Sequence, residues 1–365
     1  MSAKSLASVG DHFLIGLKPS PVLDDHDRAL LSDLRPAGVI LFKSSFRHDL
    51  PYEAWLESHA RLIADIRAAT GREHMFIAID HEGGRVCRTP PPITRFAYAA
   101  RWAQHAAEVG HVMGRELASL GINLCFSPVL DIHTNPDNPV IGERAFGQTA
   151  EAVIAAALPF MQALQAEKIV TCGKHFPGHG DTSIDSHLGL PSQALSLDGL
   201  REREIKPFAA AIKAGIPMLM MSHILFPSVD PDAPVPLSRL FATEILREEL
   251  GFAGVTVSDD IGMGAMKGLF DSPDAAVRFV EAGCDMVMVC AHFTDSGRAR
   301  GFAGAILAAL EAGRLDPALL ARSRTRIETL LARTPTNEVH RLSDATFRAH
   351  AAAGALFEAA TVEVV

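Results

Sequence analysis

The chain has 365 residues, of which 48% are hydrophobic, and it carries a formal net charge of −9. With a pI near 6.0 it lacks the basic character of nucleic-acid-binding proteins, so we exclude a nucleic-acid partner. The N-terminus contains no apolar run of signal-peptide length, and no run elsewhere is long enough to span a bilayer. Five widely spaced cysteines without a CxxC pair indicate reduced thiols, and we therefore expect a cytoplasmic protein.

Short apolar runs alternate with longer helical patterns along the chain. The predicted strands are His12–Leu17, Gly38–Phe42, Phe76–Asp80, Asn123–Leu130, Ile169–Gly173, Met218–His223, Val255–Asp259 and Met286–Cys290. The predicted helices include Tyr52–Thr70, Ala97–Leu120, Ala150–Glu167, Leu200–Ala214, Ser238–Leu250, Ala275–Ala282 and Asp295–Ala312. Eight strand–helix alternations favour an α/β fold with a parallel sheet closed as a (β/α)8 TIM barrel. A doubly wound open sheet is the alternative, although no GxGxxG motif opens a helix after the first strand.

The pattern changes after about Thr334, and we place a domain boundary there. Residues 1–334 are predicted to form the barrel. Residues 335–365 begin with a Pro/Thr/Asn break, continue as an Ala-rich helical stretch and end in TVEVV. We expect this tail to pack on the barrel as an extra helix or to be a linker-like extension.

Polar residues gather where five of the predicted strands end. In a parallel barrel the carboxyl ends of the strands meet on one face, and active sites of such barrels lie on that face. A single Asp after a strand could equally cap the next helix, but the repetition at five strands favours a site. These residues are Asp80, Glu82 and Arg85, then Asp131, then Lys174 and His175, then His223, and finally Asp259 and Asp260.

The segment KHFPGHGDTSIDSH, from Lys174 to His187, is the most informative stretch of the chain. Pro177 and the glycines at positions 178 and 180 interrupt helices and strands, so we predict a loop over the whole segment. Its histidines and carboxylates could bind a metal ion, although no HxH or HExxH spacing is present. Alternatively, Asp185 can hold the imidazole of His187 in one tautomer, as a general acid/base requires.

A second polar segment, IDHEGGRVCR, follows the third predicted strand. Its paired glycines, Gly83 and Gly84, permit a tight turn or a close approach of the backbone to a ligand. Asp80 can accept hydrogen bonds from two neighbouring hydroxyls, and Arg88 can donate two parallel hydrogen bonds to a polar or anionic group. The alternative is an Asp80–Arg88 ion pair that only ties the loop.

These two segments, together with IGERAFG and VTVSDDIGMGAM, closely resemble motifs of the family 3 glycoside hydrolases. The resemblance covers roughly Phe13 to Leu331. Within the family it is greatest to the single-domain bacterial β-N-acetylglucosaminidases of peptidoglycan recycling. The Asp-x-His pair in the loop is the mark of that hexosaminidase branch, whereas family β-glucosidases generally take a carboxylate acid/base from a second domain.

The resemblance implies a role for each matching position. Asp259, the first Asp of VSDD, would be the nucleophile that forms a covalent glycosyl-enzyme. His187 would be the general acid/base, and Asp185 would orient it. Asp80 would bind sugar hydroxyls. The sugar subsite would be completed by Arg88, Arg144, Lys174 and His175.

We therefore expect a retaining exo-β-N-acetylglucosaminidase that removes terminal N-acetylglucosamine from peptidoglycan-derived or chitin-type fragments. Such hydrolysis needs a nucleophilic carboxylate and a proton donor, so we expect no cofactor and no metal. The expected partner is a small carbohydrate, with no nucleic acid and no membrane. The alternatives are a β-glucosidase or glycoside phosphorylase of the same family, a metal-dependent barrel hydrolase and a non-catalytic sugar-binding protein.

Overall fold

Eight parallel strands close into a barrel in the computed structural model, which describes residues 5–292, 294–336 and 338–359. The strands pair in chain order, and the last strand pairs with the first. They are β1 (Phe13–Gly16), β2 (Gly38–Leu41), β3 (Phe76–Ile79), β4 (Leu124–Cys125), β5 (Val170–Phe176), β6 (Met218–Met221), β7 (Val255–Asp260) and β8 (Met286–Cys290). The predicted (β/α)8 fold is thus confirmed.

Helices alternate with these strands. They are α1 (Asp25–Leu34), α2 (Tyr52–Thr70), α3 (Ala99–Trp102), α4 (Ala106–Ser119), α5 (Ala150–Ala166), α6 (Leu197–Glu202), α7 (Ile205–Lys213), α8 (Asp274–Ala282), α9 (Arg298–Glu311), α10 (Pro317–Arg333) and α11 (Asp344–Ala359). A π-helix, Leu240–Glu249, occupies the connection between β6 and β7. Within the described ranges, no helix combines the length and the apolar character needed to cross a membrane.

Apolar side chains form one layer inside the barrel and another between the strands and the helices. In β1, Leu14 belongs to the inner layer, whereas Phe13 and Ile15 on either side belong to the outer layer. This alternation follows from the two-residue period of a strand, and in this barrel it buries both faces of the sheet. The acidic and basic side chains of β5 and β7, namely Lys174, His175, Asp259 and Asp260, lie toward the carboxyl ends of these strands.

The fourth and fifth strands differ from their predicted bounds. β4 stops at Cys125, because the chain soon reaches Pro128, which cannot donate to the strand ladder. β5 continues to Phe176, although we predicted a loop from Lys174 onward. That prediction was wrong for three residues, since the first loop-forming residue is Pro177. Lys174 and His175 therefore stand on a rigid strand.

The described part of the tail packs against the barrel. The backbone N–H of Leu342 donates to the Tyr52 hydroxyl at 3.1 Å, and the Phe347 ring meets the Tyr52 ring edge-on at 5.1 Å. His350 Nδ1 lies 2.8 Å from Glu116 Oε1, which joins α11 to α4. The division into a barrel of residues 1–334 and a tail of residues 335–365 stays a prediction, and residues 337 and 360–365 lie outside the described part.

Replacing Phe347 by Ala tests whether the tail belongs to the folded unit. Because Phe347 is buried against α2, we expect Phe347→Ala to lower the free energy of unfolding by about 3 kcal/mol. Chemical denaturation followed by circular dichroism measures this change. Arg348→Ala, at the exposed neighbouring position, is the control. Equal stability of both variants would show that the tail is a linker-like extension.

Candidate active site

All eight residues that the sequence predicts for the site line one cavity of about 310 Å³. The cavity lies at the carboxyl ends of the strands, since Lys174 and His175 near the end of β5 and Asp259 near the end of β7 line it. The eight are Asp80, Arg88, Arg144, Lys174, His175, Asp185, His187 and Asp259. Residues from four distant parts of the chain are thus brought together on the face where barrel enzymes carry their active sites.

A buried carboxylate, Glu82, holds two of these residues. Its oxygens accept hydrogen bonds from Arg144 Nε and Nη2 at 2.8 and 2.9 Å, and Oε1 lies 2.5 Å from Lys174 Nζ. Burial raises the pKa of Glu82, but the charges of Arg144 and Lys174 outweigh burial and hold the pKa well below its usual range. Glu82 therefore stays ionised and fixes both cations.

Lys174 links this buried group to Asp80, with 2.6 Å between Lys174 Nζ and Asp80 Oδ1. Burial lowers the pKa of Lys174, but Asp80 and Glu82 raise it above its ordinary value, so the ammonium stays charged. Asp80 Oδ2 is 3.9 Å from Arg88 Nη2, which is too long for a direct hydrogen bond. Because 20% of the Asp80 side chain is exposed, its carboxylate is accessible to a ligand.

A second buried carboxylate, Asp131, orients the end of β5. Its Oδ2 is 2.6 Å from His175 Nδ1, and its Oδ1 accepts the backbone N–H groups of His175 and His179 at 3.1 and 2.7 Å. Burial raises the pKa of Asp131, but His175 outweighs burial and lowers it. Asp131 thus sets the ring orientation of His175 and the start of the following loop.

The loop after β5, residues 177–189, carries the pair that its spacing predicts. Asp185 Oδ1 lies 2.7 Å from His187 Nδ1 and also accepts the His187 backbone N–H at 2.9 Å. Burial raises the pKa of Asp185, but the hydrogen bonds from His187 outweigh burial and lower it. The ionised Asp185 can therefore orient the imidazole, and 44% of the His187 side chain is open to a ligand.

His179 in the same loop has a structural role. Its Nδ1 is 2.7 Å from the Thr182 hydroxyl, and its Nε2 is 3.2 Å from the Ser186 hydroxyl. Burial lowers the pKa of His179 to about 4, so the ring is neutral. A neutral ring bonded to two loop hydroxyls organises the loop. Both ring nitrogens thus contact side-chain hydroxyls of the loop itself.

Asp259 stands near the end of β7 and faces the cavity. Its Oδ1 accepts the backbone N–H of Asp260 at 2.8 Å. Burial raises the pKa of Asp259, but the neighbouring His223 and His175 and this hydrogen bond outweigh burial and lower it. The carboxylate is therefore ionised at neutral pH, as a nucleophile must be.

A wider cavity of about 940 Å³ adjoins the smaller one. The two cavities share Asp80, Arg88, His187 and Asp259, so both His187 and Asp259 stand at their junction. Among the other residues that line the wider cavity is Phe42, which directly follows β2. A ligand can therefore place one unit in the smaller cavity and extend through the wider one.

The five candidate metal ligands of the segment from Lys174 to His187 each have another partner. His175 faces Asp131, His179 faces Thr182 and Ser186, Asp181 faces Arg203, and Asp185 and His187 face each other. Within the described part of the chain, the group whose ligand atoms come close enough to share an ion is Asp24, His26 and Asp27, before and within α1. The predicted loop residues are arranged as hydrogen-bonded pairs.

The sequence placed Glu82, Asp131 and Asp260 among the polar residues at strand ends but predicted no role for them. All three follow predicted strands, so their positions at strand ends were visible. Their roles depend on partners such as Arg144, which is 62 residues from Glu82, and on burial. The spacing of residues along the sequence indicates neither a distant partner nor burial.

Asp260 is a buried acid next to Asp259. Its Oδ1 accepts the backbone N–H groups of Gly262 and Cys290, whereas its Oδ2 has no hydrogen-bond partner in the described part of the chain. Burial, together with the charge of Asp259, raises the pKa of Asp260 to about 7. Asp260 is thus largely neutral in mildly acidic solution and adds no second charge beside Asp259.

The pH dependence of the free energy of unfolding tests whether folding raises the pKa of Asp260. Because folding raises the pKa of Asp260 from 3.8 to about 7, its contribution is complete below pH 3.8 and is lost as the pH rises to 7. Between pH 5 and 7 the free energy of unfolding of the wild type should fall by about 2 kcal/mol more than that of Asp260→Asn, since one pKa unit corresponds to about 1.4 kcal/mol. Denaturant titrations at both pH values measure the difference. The same pH dependence in both proteins would contradict it.

Comparison with known proteins agrees with this geometry. Residues 15–330 match the family model of the glycosyl hydrolase family 3 N-terminal domain. The chain is 34% identical to a β-hexosaminidase of Methylococcus capsulatus, over 89% of this chain and 97% of that protein. It is 35% identical to β-hexosaminidase A of Pseudoalteromonas piscicida, over 72% of this chain but only 48% of that longer relative.

A solved structure shows the same relationship. NagZ from Neisseria gonorrhoeae, in complex with N-trifluoroacetyl-D-glucosamine, superimposes with a TM-score of 0.73 at 32% identity. The match covers 95% of this chain and 98% of that one. The resemblance stated from the sequence motifs is thereby confirmed. The chain belongs to glycoside hydrolase family 3 and is similar to its single-domain β-N-acetylglucosaminidases.

Proposed function

We propose that this protein is a retaining exo-β-N-acetylglucosaminidase. The observation that carries the proposal is the convergence of an ionised Asp259 and the Asp185–His187 pair on one small cavity lined by Arg88 and Lys174. A carboxylate and a proton-transferring group on opposite sides of one bond are what retaining glycoside hydrolysis requires. The relatives named β-hexosaminidase support the choice of sugar.

The first step forms a covalent intermediate. An oxygen of Asp259 attacks the anomeric carbon of the sugar while the bond from that carbon to the leaving oxygen breaks. His187 gives a proton to the leaving oxygen, so the leaving group departs as a neutral alcohol. Asp185 holds His187 Nδ1, which assigns the proton transfer to Nε2.

The second step releases the sugar. His187, having lost a proton, takes one from a water molecule, and the resulting nucleophile attacks the anomeric carbon. The bond to Asp259 breaks, and the carboxylate is restored. Two inversions leave the sugar with its original β configuration. His187 ends the cycle with the proton that it had at the start.

The shapes of the two cavities support exo cleavage. The smaller cavity, of about 310 Å³, collects Lys174, Arg88 and Asp80, which can bind the hydroxyls of one terminal sugar. The wider cavity, of about 940 Å³, receives the remainder of the substrate. Because His187 and Asp259 line both cavities, the bond at their junction is the one cleaved. Peptidoglycan-derived or chitin-type fragments are the proposed substrates, and a cytoplasmic location stays a prediction.

The nucleophile is tested by Asp259→Asn, which preserves shape and removes the attacking charge. We expect kcat on 4-nitrophenyl β-N-acetylglucosaminide to fall by at least about 10³-fold, as for removal of other nucleophiles. Asp271→Asn, at an exposed position, is the matched control. A wild-type protein that prefers the β-glucoside to the N-acetylated substrate would instead reassign the specificity. Near-normal turnover by Asp259→Asn would contradict the nucleophile assignment.

The acid/base role is tested by His187→Ala with two leaving groups. Since a good leaving group needs little protonation, kcat/KM should fall about 10²-fold or more for N,N′-diacetylchitobiose and far less for the 4-nitrophenyl glycoside. Equal losses on both substrates would show that His187 serves binding or folding only.

The metal alternative is tested with a chelator. We expect full activity after dialysis against EDTA, because the loop carboxylates and imidazoles pair with one another or with neighbouring side chains. The control is the same dialysis without EDTA. Loss of activity that zinc restores would support a metal-dependent hydrolase.

A further inference from the structure

Two apolar side chains face solvent in the half of the loop after β5 that carries His187. Leu188, next to His187, is 83% exposed, and Ile184 is 48% exposed. The preceding half is tied down, since the side-chain amide of Asn138 donates to the carbonyl oxygens of His179 and Thr182 at 2.9 Å. Polar contacts of the second half contribute to the position of the His187 backbone.

Two such contacts come from the segment after β7. The backbone N–H of Gly264 donates to the carbonyl oxygen of His187 at 3.1 Å, and that of Ala265 donates to the carbonyl oxygen of Ser186 at 2.9 Å. Gly264 and Ala265 begin a short 3-10 helix, Gly264–Met266, whose first N–H groups have no partners within the helix. The helix start thus binds the loop backbone beside the proposed acid/base.

The same segment is tied to Asp259. Gly264 comes five positions after Asp259. Between them, Asp260 Oδ1 accepts the backbone N–H of Gly262 at 3.0 Å, and the Asp260 carbonyl accepts that of Met263 at 3.1 Å. The short 3-10 helix therefore has a fixed position relative to Asp259. The loop that is bound to this helix is therefore also held in place relative to Asp259.

The close contact with the loop backbone requires glycine at position 264. A Cβ atom added at Gly264 would lie 2.6 Å from the carbonyl oxygen of His187 and 2.8 Å from the carbonyl carbon of Leu188, both backbone atoms that cannot swing aside. The φ of Gly264 is not in the left-handed region, so alanine fits the local conformation. A side chain at this position would displace the loop without straining its own backbone.

We propose that Gly264 and Ala265 are positioning residues that hold His187 at a set place relative to Asp259, a contact we name the Gly264 latch. The proposal rests on the proposed function, because it assumes that His187 transfers the proton. The latch acts through the loop backbone and touches neither the sugar nor the leaving group. Its loss should weaken proton transfer and spare the attack by Asp259.

The test is Gly264→Ala, measured as kcat/KM on two substrates of different leaving-group strength. This parameter reports the first step, in which His187 acts as an acid. We expect a loss of about tenfold to a hundredfold on N,N′-diacetylchitobiose, since displacement by about 1 Å can cost that much, and a loss below about threefold on the 4-nitrophenyl glycoside. Gly304→Ala, in α9 with open space around the new Cβ, is the matched control and should match the wild type.

A double-mutant cycle shows whether the effect passes through His187. If it does, Gly264→Ala should have no further effect in a His187→Ala background. If Gly264→Ala does not fold, Ala265→Pro is the second variant. It removes the N–H donated to Ser186, and proline is tolerated in the first turn of a helix. Ala265→Pro should then show the larger loss on N,N′-diacetylchitobiose and the smaller loss on the 4-nitrophenyl glycoside.

The outcomes separate the latch from the proposed function. Equal losses on both substrates, wild-type rates in Gly264→Ala, or losses that add to those of His187→Ala would overturn the latch while the wild-type activity stands. A wild-type protein inactive on both substrates would overturn the proposed function and the latch together.

Discussion

The site depends on one buried carboxylate that neutralises two buried cations. Without Glu82, the guanidinium of Arg144 and the ammonium of Lys174 would stand close together in the protein interior, each without its closest anion. Removing one partner of a buried ion pair typically costs about 3–5 kcal/mol, because the other charge is left uncompensated. With Glu82 in place, Lys174 remains charged and bonds Asp80 on its other side. The polar wall of the smaller cavity is therefore assembled before any ligand binds.

The rest of the site divides into groups on rigid strands and groups on a loop. Asp259 and Lys174 stand in β7 and β5, where the strand ladder and the surrounding apolar layers fix the backbone. His187 stands on a loop whose second half exposes its apolar side chains to solvent. This division fits the two proposed tasks, since attack on the sugar by Asp259 would need a fixed carboxylate. Proton transfer needs a group that serves first the leaving oxygen and then water.

The parts of the site that are local in sequence could be predicted, and the parts that depend on distant contacts could not. Asp259 was identifiable from its motif at a strand end, and the Asp185–His187 pair from its two-residue spacing. Glu82 was seen only as a polar residue after a strand, because its partner Arg144 is 62 residues away. Gly264 carries no local signal, since its φ is ordinary and its importance comes from the His187 carbonyl.

The central claim is that Asp259 forms a covalent bond with the sugar. The most direct measurement is mass spectrometry of the protein after incubation with a 5-fluoro-N-acetylglucosaminyl fluoride, which slows hydrolysis of the intermediate. The account predicts one added glycosyl group on the peptide that contains Asp259, and no addition to Asp259→Asn. A label on another carboxylate, or turnover of the reagent without any covalent species, would contradict it.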